Sequence, residues 1–230
     1  MTKPTIVDEP LTQACYFGEK QDKDLIVLHF TAGGTPKSAI NWWKSQANKV
    51  SAAFVIGDLG TIYQVYHPDF WSYHLGVQAP NGENHRHDKR SIAIELVNWG
   101  PLQLNDDKFC SWPGNFSNIV YSKTEIEVHE RTYEYKSVVT LNKPYKGFTH
   151  WQNFPRPQIN ALISLIDQLE TTYNIPHKFL DPSKRNTWDI PLVKNFSGIL
   201  CHENFRVDKL DVGPAFPWER IIEKNYFTIK

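Results

Sequence analysis

Cysteine is scarce in this chain: three in 230 residues, Cys15, Cys110 and Cys201. An odd count at these spacings builds no disulfide framework and fits no zinc-knuckle pattern. A surplus of either charge is also lacking, with 25 basic against 25 acidic residues. A nucleic-acid binder should carry a basic excess or stripe, and adhesion to an anionic membrane needs the same, so neither partner is expected. No stretch approaches the ~20 apolar residues of a membrane span. The start, Met1 to Pro10, has no apolar core of a signal peptide. These absences describe a soluble chain, reduced and cytoplasmic when made. Repeats and low-complexity tracts are missing too.

What is present fits one globular unit over residues 1–230, long enough to bury a core and expected to be a monomer. Tryptophan is plentiful, with eight, and aromatics either fill a core or stack on flat apolar faces such as those of sugars. Asp24 to Phe30 is an apolar run that predicts a buried strand. Thr35-Pro36 predicts a helix start, with Thr at the cap and Pro in the first turn, running to about Asn48. Ser51 to Ile56 and Thr61 to Tyr66, joined by Asp58-Leu59-Gly60, predict a hairpin. Gln78 to Arg90 reads as a polar loop. Ile92 to Val97 reads as a central strand carrying Glu95. Glu125 to Arg131 alternates as a half-exposed strand does, with Thr132 to Leu141 as its partner. From Pro157 to Tyr173, Ile159, Leu162, Ile163, Ile166 and Leu169 fall on one helical face, and Pro217 to Ile222 predicts a short last helix. The class expected is α/β, a central mixed β-sheet with helices on both sides.

Two distant segments carry the chemistry. Leu28-His29-Phe30-Thr31-Ala32-Gly33-Gly34 puts a histidine at a strand end. Ile199-Leu200-Cys201-His202 does the same and runs into a loop holding Asp208 and Asp211. Two histidines and one loop carboxylate can form a three-ligand zinc site whose fourth position stays open, the arrangement of a catalytic zinc. Glu95 stands in an otherwise apolar strand, where an ionised carboxylate costs several kcal/mol, to order of magnitude, unless paired or ligated. Cys201 neighbours His202, but strand neighbours point to opposite faces, so its side chain belongs in the core. His85 and His87 form an H-x-H in a charged loop, a weak metal signal beside the plain alternative of a solvated loop. His67, His129, His150 and His177 have no supporting context.

These segments, with Val50 to Ile56, Gly60 to Gln64, Trp71-Ser72-Tyr73-His74-Leu75-Gly76, Ser91 to Leu96, Gln158 to Ile175 and Asp211 to Trp218, appear in one order. In that order the chain resembles the zinc-dependent N-acetylmuramoyl-L-alanine amidases (type 2) related to peptidoglycan recognition proteins, over about Asp24 to Ile222. The resemblance implies that family's fold, with residues 1–23 as an N-terminal arm and 101–150 and 176–197 as hairpin and loop insertions. It implies Zn2+ on His29, His202 and Asp211, with Asp208 the rival third ligand. It implies Glu95 as the residue facing the attacking water and Lys209 as the cation facing the oxyanion. His74 and Trp71 would line the cleft. The substrate implied is peptidoglycan or a muropeptide, cut between N-acetylmuramic acid and L-alanine. A lytic enzyme of the endolysin kind is the reading preferred, released to the wall by lysis or a separate export route. A recycling amidase and a non-catalytic recognition module are the alternatives. Two departures stand out. Ala53 replaces a histidine found in many relatives, and the loop from His202 to Asp211 is one residue short, which leaves Arg206 as a competitor for the place of Lys209.

Overall fold

The computed structural model describes residues 4–46, 48–76, 85–113, 115–123 and 137–224. The sequence-predicted strand Glu125–Arg131, the start of its partner, His129 and most of the Gln78–Arg90 loop lie outside these residues. In chain order the elements are β1 (Ile6–Asp8), β2 (Leu25–Phe30), α1 (Pro36–Gln46), β3 (Phe54–Ile56), β4 (Ile62–Gln64), α2 (Arg86–Arg90) and β5 (Ser91–Leu96). Then follow β6 (Pro101–Asn105), β7 (Lys108–Ser111), β8 (Asn118–Ser122), β9 (Val138–Tyr145), β10 (Phe148–Gln152) and α3 (Arg156–Tyr173). The chain closes with α4 (Ile190–Val193), β11 (Gly198–Cys201) and α5 (Trp218–Ile222).

The main sheet has six strands in the order β1-β4-β3-β5-β2-β11. It is mixed: β11, β2, β5 and β3 run parallel, β3 and β4 form the antiparallel hairpin, and β1 joins β4 in parallel. Every residue of β2 is buried, as its unbroken apolar run requires for a central parallel strand. Ile26, Leu28, Ile92 and Ile94 point to one face and form a core with Ile159, Leu162, Ile163 and Ile166 of α3. Leu25, Val27 and Leu200 point to the other face and pack with Leu180, Ile190, Val193 and Phe196. The 176–197 segment therefore supplies a second core layer, and α4 is its anchor. Thr35 caps α1 as its sequence predicts, its Oγ1 accepting the Ser38 N–H at 3.1 Å.

Three local expectations are corrected. The first twenty-odd residues, read as an extended arm, are packed against the body of the protein. Ile6–Asp8 is an edge strand, Leu11 and Cys15 are buried, and Lys23 Nζ donates to the carbonyls of Phe70, Lys89 and Ser91 at 2.7–3.0 Å. Arg86–Arg90 is a turn of helix rather than loop. Its Asp88 is buried and accepts the Leu75 N–H at 2.9 Å, a tertiary contact that overrides the polar local sequence. The 101–150 region is more than a hairpin: with β10 it forms an antiparallel sheet of five strands in the order β8-β7-β6-β10-β9. Its small core holds Leu102, Phe109 and Tyr121, and β9 pairs with β10.

The two sheets meet where β5 runs into β6. Asn98 Oδ1 accepts the Gly100 N–H at 2.7 Å, Gln152 Oε1 accepts the Trp99 N–H at 2.6 Å, and the Gly100 carbonyl accepts the Gln152 N–H at 2.9 Å. Gly100 has φ +71°, and a Cβ there would lie 2.4 Å from the ring of Phe30. Glycine supplies both the left-handed turn and the space. Gly100→Ala is therefore expected to destabilise the protein by about 2–4 kcal/mol, from backbone strain plus overpacking, read as a lower urea midpoint. An unchanged midpoint would show that Phe30 yields freely.

Candidate metal centre and cleft

Strand register builds the site. In the order β5-β2-β11, Glu95 pairs with His29 across one seam and Cys201 with Leu28 across the other. His202 comes one step after Cys201, opening a single 3-10 turn, His202–Asn204, and stands beside His29. Alternation puts His29, Glu95 and His202 on one face at the carboxyl ends of three parallel strands, where open α/β sheets place their ligands. Cys201 points the other way, into the core with Ile26 and Leu28. Burial pushes its thiol well above the ordinary range, as expected of a cysteine packed in the core.

His29 Nδ1 and His202 Nδ1 are 3.0 Å apart, and Asp211 Oδ2 lies 3.0 Å from the first and 2.9 Å from the second. This is the one group among the described residues with the make-up of a metal site. Its members suit zinc. Two imidazole nitrogens and a carboxylate oxygen are the right donors, and tetrahedral zinc with bonds of ~2.0–2.1 Å holds its ligand atoms about 3.3 Å apart. The outer nitrogen of His29, Nε2, contacts His74 Nδ1 at 3.0 Å, and His74 Nε2 contacts Ser91 Oγ at 2.6 Å. Ser91 Oγ donates in turn to the His87 carbonyl at 2.6 Å. That direction of donation lets His29 give its Nε2 proton to His74 and keep Nδ1 bare toward the group. Burial opposes ionisation of Asp211, but the His202 and His29 rings hold its carboxyl well below the usual carboxylate range. Burial lowers His202 to about 4, and His74 falls well below its ordinary value for the same reason.

Glu95 lies beside this group. Burial raises its pKa to about 7, and Oε2 is buried with no hydrogen-bond partner among the described residues. It lines two adjoining recesses. The one of about 360 Å³ also holds His74, His202, Asp211 and Lys209, with Trp42 and Trp112 at its rim. The other, of about 630 Å³, extends along Thr31 to Thr35. Lys209, not Arg206, faces the metal-side recess. Arg206 grips Asp208 through Nε at 3.0 Å and Nη2 at 2.8 Å, and Nη1 reaches the Leu75 carbonyl at 3.2 Å. That pairing also keeps the Asp208 carboxylate out of the His29–His202–Asp211 group.

Not every sequence candidate is brought here. His74 is, but Trp71 lines neither recess. Its indole stacks on Phe17 with centroids 4.0 Å apart and its Nε1–H donates to Glu19 at 3.3 Å. Ala53 is buried in the core. His85 pairs with Asp88 at 2.9 Å. One participant went unseen in the sequence: Glu203, fully buried next to His202. Its Oε1 accepts from Tyr145 Oη at 2.6 Å and pairs with Lys146 Nζ at 3.0 Å. Its Oε2 accepts from Asn186 Nδ2 at 2.7 Å and from the Gly213 N–H at 3.0 Å. Lys146 also donates to the Lys209 carbonyl. A lone carboxylate beside a histidine was the available signal; its partners lie too far away in sequence to be read.

No curated protein sequence matches the chain. Among solved structures, its fold is similar to the N-acetylmuramoyl-L-alanine amidase LysC from Clostridium intestinale URNW, with 17% identity, TM-score 0.51, and 96% of this chain and 97% of that chain covered. It is similar to the endolysin amidase LysCS of the same organism, with 17% identity, TM-score 0.50, and 97% and 96% covered. It is also similar to AmiD from E. coli, solved with anhydro-N-acetylmuramic acid-L-Ala-D-gamma-Glu-L-Lys, with 19% identity, TM-score 0.52, and 92% of this chain and 61% of that chain covered. At these identities the likeness speaks for the fold, a mixed α/β sheet flanked by helices. The sequence pattern that defines the Amidase_2 family, N-acetylmuramoyl-L-alanine amidase, matches residues 19–213, and the chain belongs to that family of peptidoglycan hydrolases.

Proposed function

We propose that this N-acetylmuramoyl-L-alanine amidase is zinc-dependent, with His29, His202 and Asp211 as ligands, Glu95 as general base and acid, and Lys209 as the cation for the developing oxyanion. The observation that carries this reading is the convergence of three buried donor atoms, 2.9–3.0 Å apart, beside a carboxylate whose Oε2 has no hydrogen-bond partner among the described residues. Zinc held there would act as a Lewis acid, bringing the pKa of water from ~15.7 toward ~7 and polarising the scissile carbonyl. Glu95 Oε2 takes the proton of the attacking water and returns it to the departing alanine nitrogen. A carboxyl raised to about 7 suits both tasks at neutral pH. Lys209 Nζ meets charge on the carbonyl oxygen as it forms, and His74 fixes the ring of His29. The biological role favoured is that of a lytic enzyme, with Trp112, just after β7 of the second sheet, lining the metal-side recess.

The purified protein should hold one zinc per chain and lose activity on chelation, regaining it with added zinc. His29→Ala and His202→Ala should lose metal and turnover together. Full activity of metal-free protein would end the zinc reading.

Glu95→Gln keeps shape and removes the base. It should retain zinc while kcat falls ~10²–10⁴-fold, the usual share of a general acid–base group. Lys209→Ala should lower kcat with zinc content unchanged, by as much as the ~10²–10³-fold typical of an oxyanion donor. Arg206→Ala, whose guanidinium is turned to Asp208, should stay near the wild-type rate. The reverse order for the last two would reassign the oxyanion partner.

Mass analysis of products separates the biological roles. A lytic enzyme should release stem peptides from intact sacculi at least as fast as from a soluble anhydro-muropeptide. Activity confined to the soluble substrate would make it a recycling enzyme.

A further inference from the structure

Of the three candidate ligands, Asp211 has the least local support. His29 lies within β2 and His202 directly follows β11. From Phe205 to Pro217, by contrast, the chain forms neither helix nor strand, and that stretch carries both Asp211 and Lys209. One carboxylate oxygen, Asp211 Oδ2, meets both imidazoles, so a small swing of the loop breaks both contacts. A working site needs its groups held to within about 0.5 Å by surrounding bonds. Those bonds must come from outside the loop.

Glu203 meets the Asp211 segment twice. Its own N–H donates to the Asp211 carbonyl at 3.1 Å, and its Oε2 accepts the Gly213 N–H at 3.0 Å. One residue thus holds both ends of the run from Asp211 to Gly213. Its other oxygen, Oε1, reaches the second sheet, accepting from Tyr145 Oη at 2.6 Å and pairing with Lys146 Nζ at 3.0 Å. Burial, and then the hydrogen bond to Glu203, push the Tyr145 hydroxyl well up, so it stays a donor. Lys146 sits in a two-residue turn between β9 and β10. Lys146 and Gly147 have φ +47° and +88°, the left-handed pair that fits the twist of a hairpin. From that turn Nζ also donates to the carbonyls of Val207, at 3.4 Å, and Lys209. Neither Glu203 nor Lys146 lines either recess, and Glu203 is fully buried. What they do to the reaction passes through the loop.

We infer that Glu203 and Lys146 are positioning residues of the amidase site: Glu203 sets the Asp211 carboxylate toward His29 and His202, and Lys146 sets the backbone from which Lys209 reaches the cleft. The second sheet then takes part in catalysis through its β9–β10 turn. This rests on the zinc-amidase reading above.

The test measures zinc affinity apart from turnover, by titrating metal-free protein with zinc in competition with a chelating dye. Glu203→Gln should weaken zinc binding by roughly 10–100-fold, the usual loss when an outer partner of a metal ligand is removed. Tyr145→Phe should shift it the same way by less. Lys146→Met should hold zinc nearly as wild type does but lower kcat on sacculi, at saturating zinc, by about threefold or more. Lys146→Arg should recover part of that rate. In a Lys209→Ala background Lys146→Met should have no further effect, because it acts through that ammonium. A merely structural role would lower the melting temperature of the metal-free protein and leave zinc affinity and the double-mutant cycle unmoved. If Glu203→Gln does not fold, Tyr145→Phe, which removes one hydroxyl from a half-buried ring, decides the zinc arm. Zinc binding equal to wild type in these variants overturns the role of Glu203. An equal loss of rate from Lys146→Met with and without the Lys209 ammonium overturns that of Lys146. Wild-type protein that takes up no zinc would instead sink the metal reading, and both positioning roles with it.

Discussion

A carboxylate with no access to solvent, Glu203, accepts hydrogen bonds from Tyr145, Asn186 and the Gly213 backbone and pairs with Lys146. Ionised and unpaired, it would cost several kcal/mol to bury, to order of magnitude. Four partners on two oxygens remove that cost and in doing so join three separate stretches of chain. Tyr145 and Lys146 end the β9–β10 hairpin of the second sheet, Asn186 comes from the 176–197 segment, and Gly213 follows Asp211. Lys146 adds a bond to the Lys209 carbonyl. Gly213 itself has φ +77°, and a Cβ there would come within 2.7 Å of Trp151 in β10. The loop that presents Asp211 and Lys209 is therefore set against the second sheet, and that sheet is part of how the site keeps its shape.

Two carboxylates in the cleft are pushed in opposite directions. Glu95 is half-buried, its Oε2 is out of solvent with no hydrogen-bond partner among the described residues, and desolvation raises it to about 7. Asp211 is buried, but two imidazoles at 2.9–3.0 Å hold it low. Such a split is the usual sign that one group handles protons while the other stays charged. It is consistent with Asp211 as ligand and Glu95 as base, and it would be hard to account for if the two had exchanged roles.

Much of this was legible in the residues. The apolar run of β2, the lone carboxylate Glu95 in β5 and the 3.6-residue spacing of α3 each state one local rule that tertiary contacts did not override. His29, Glu95 and His202 come together because strand register and alternation align them, and Asp211 joins them from the loop after His202. Other features depend on partners far away in the chain. Trp71 beside His74 reads as a cleft residue until Phe17 is found stacked on it. Arg86–Arg90 reads as solvated loop until Asp88 meets the Leu75 N–H. The second sheet is built of strands of four to eight residues with exposed outer positions, and its small core around Phe109 and Tyr121 leaves too faint a periodicity to count strands.

The loop after His202 sorts its two cations to different places. Here Arg206 is drawn off by Asp208 and the Leu75 carbonyl, and its close approach is possible because Gly76 has no Cβ: one built there would lie 2.3 Å from Arg206 Nη1. Arg206 is thereby turned away from the cleft, while Lys146 holds the Lys209 carbonyl and Lys209 faces the metal-side recess. The bond to Lys146, from a distant part of the chain, ties down the backbone that carries that cation.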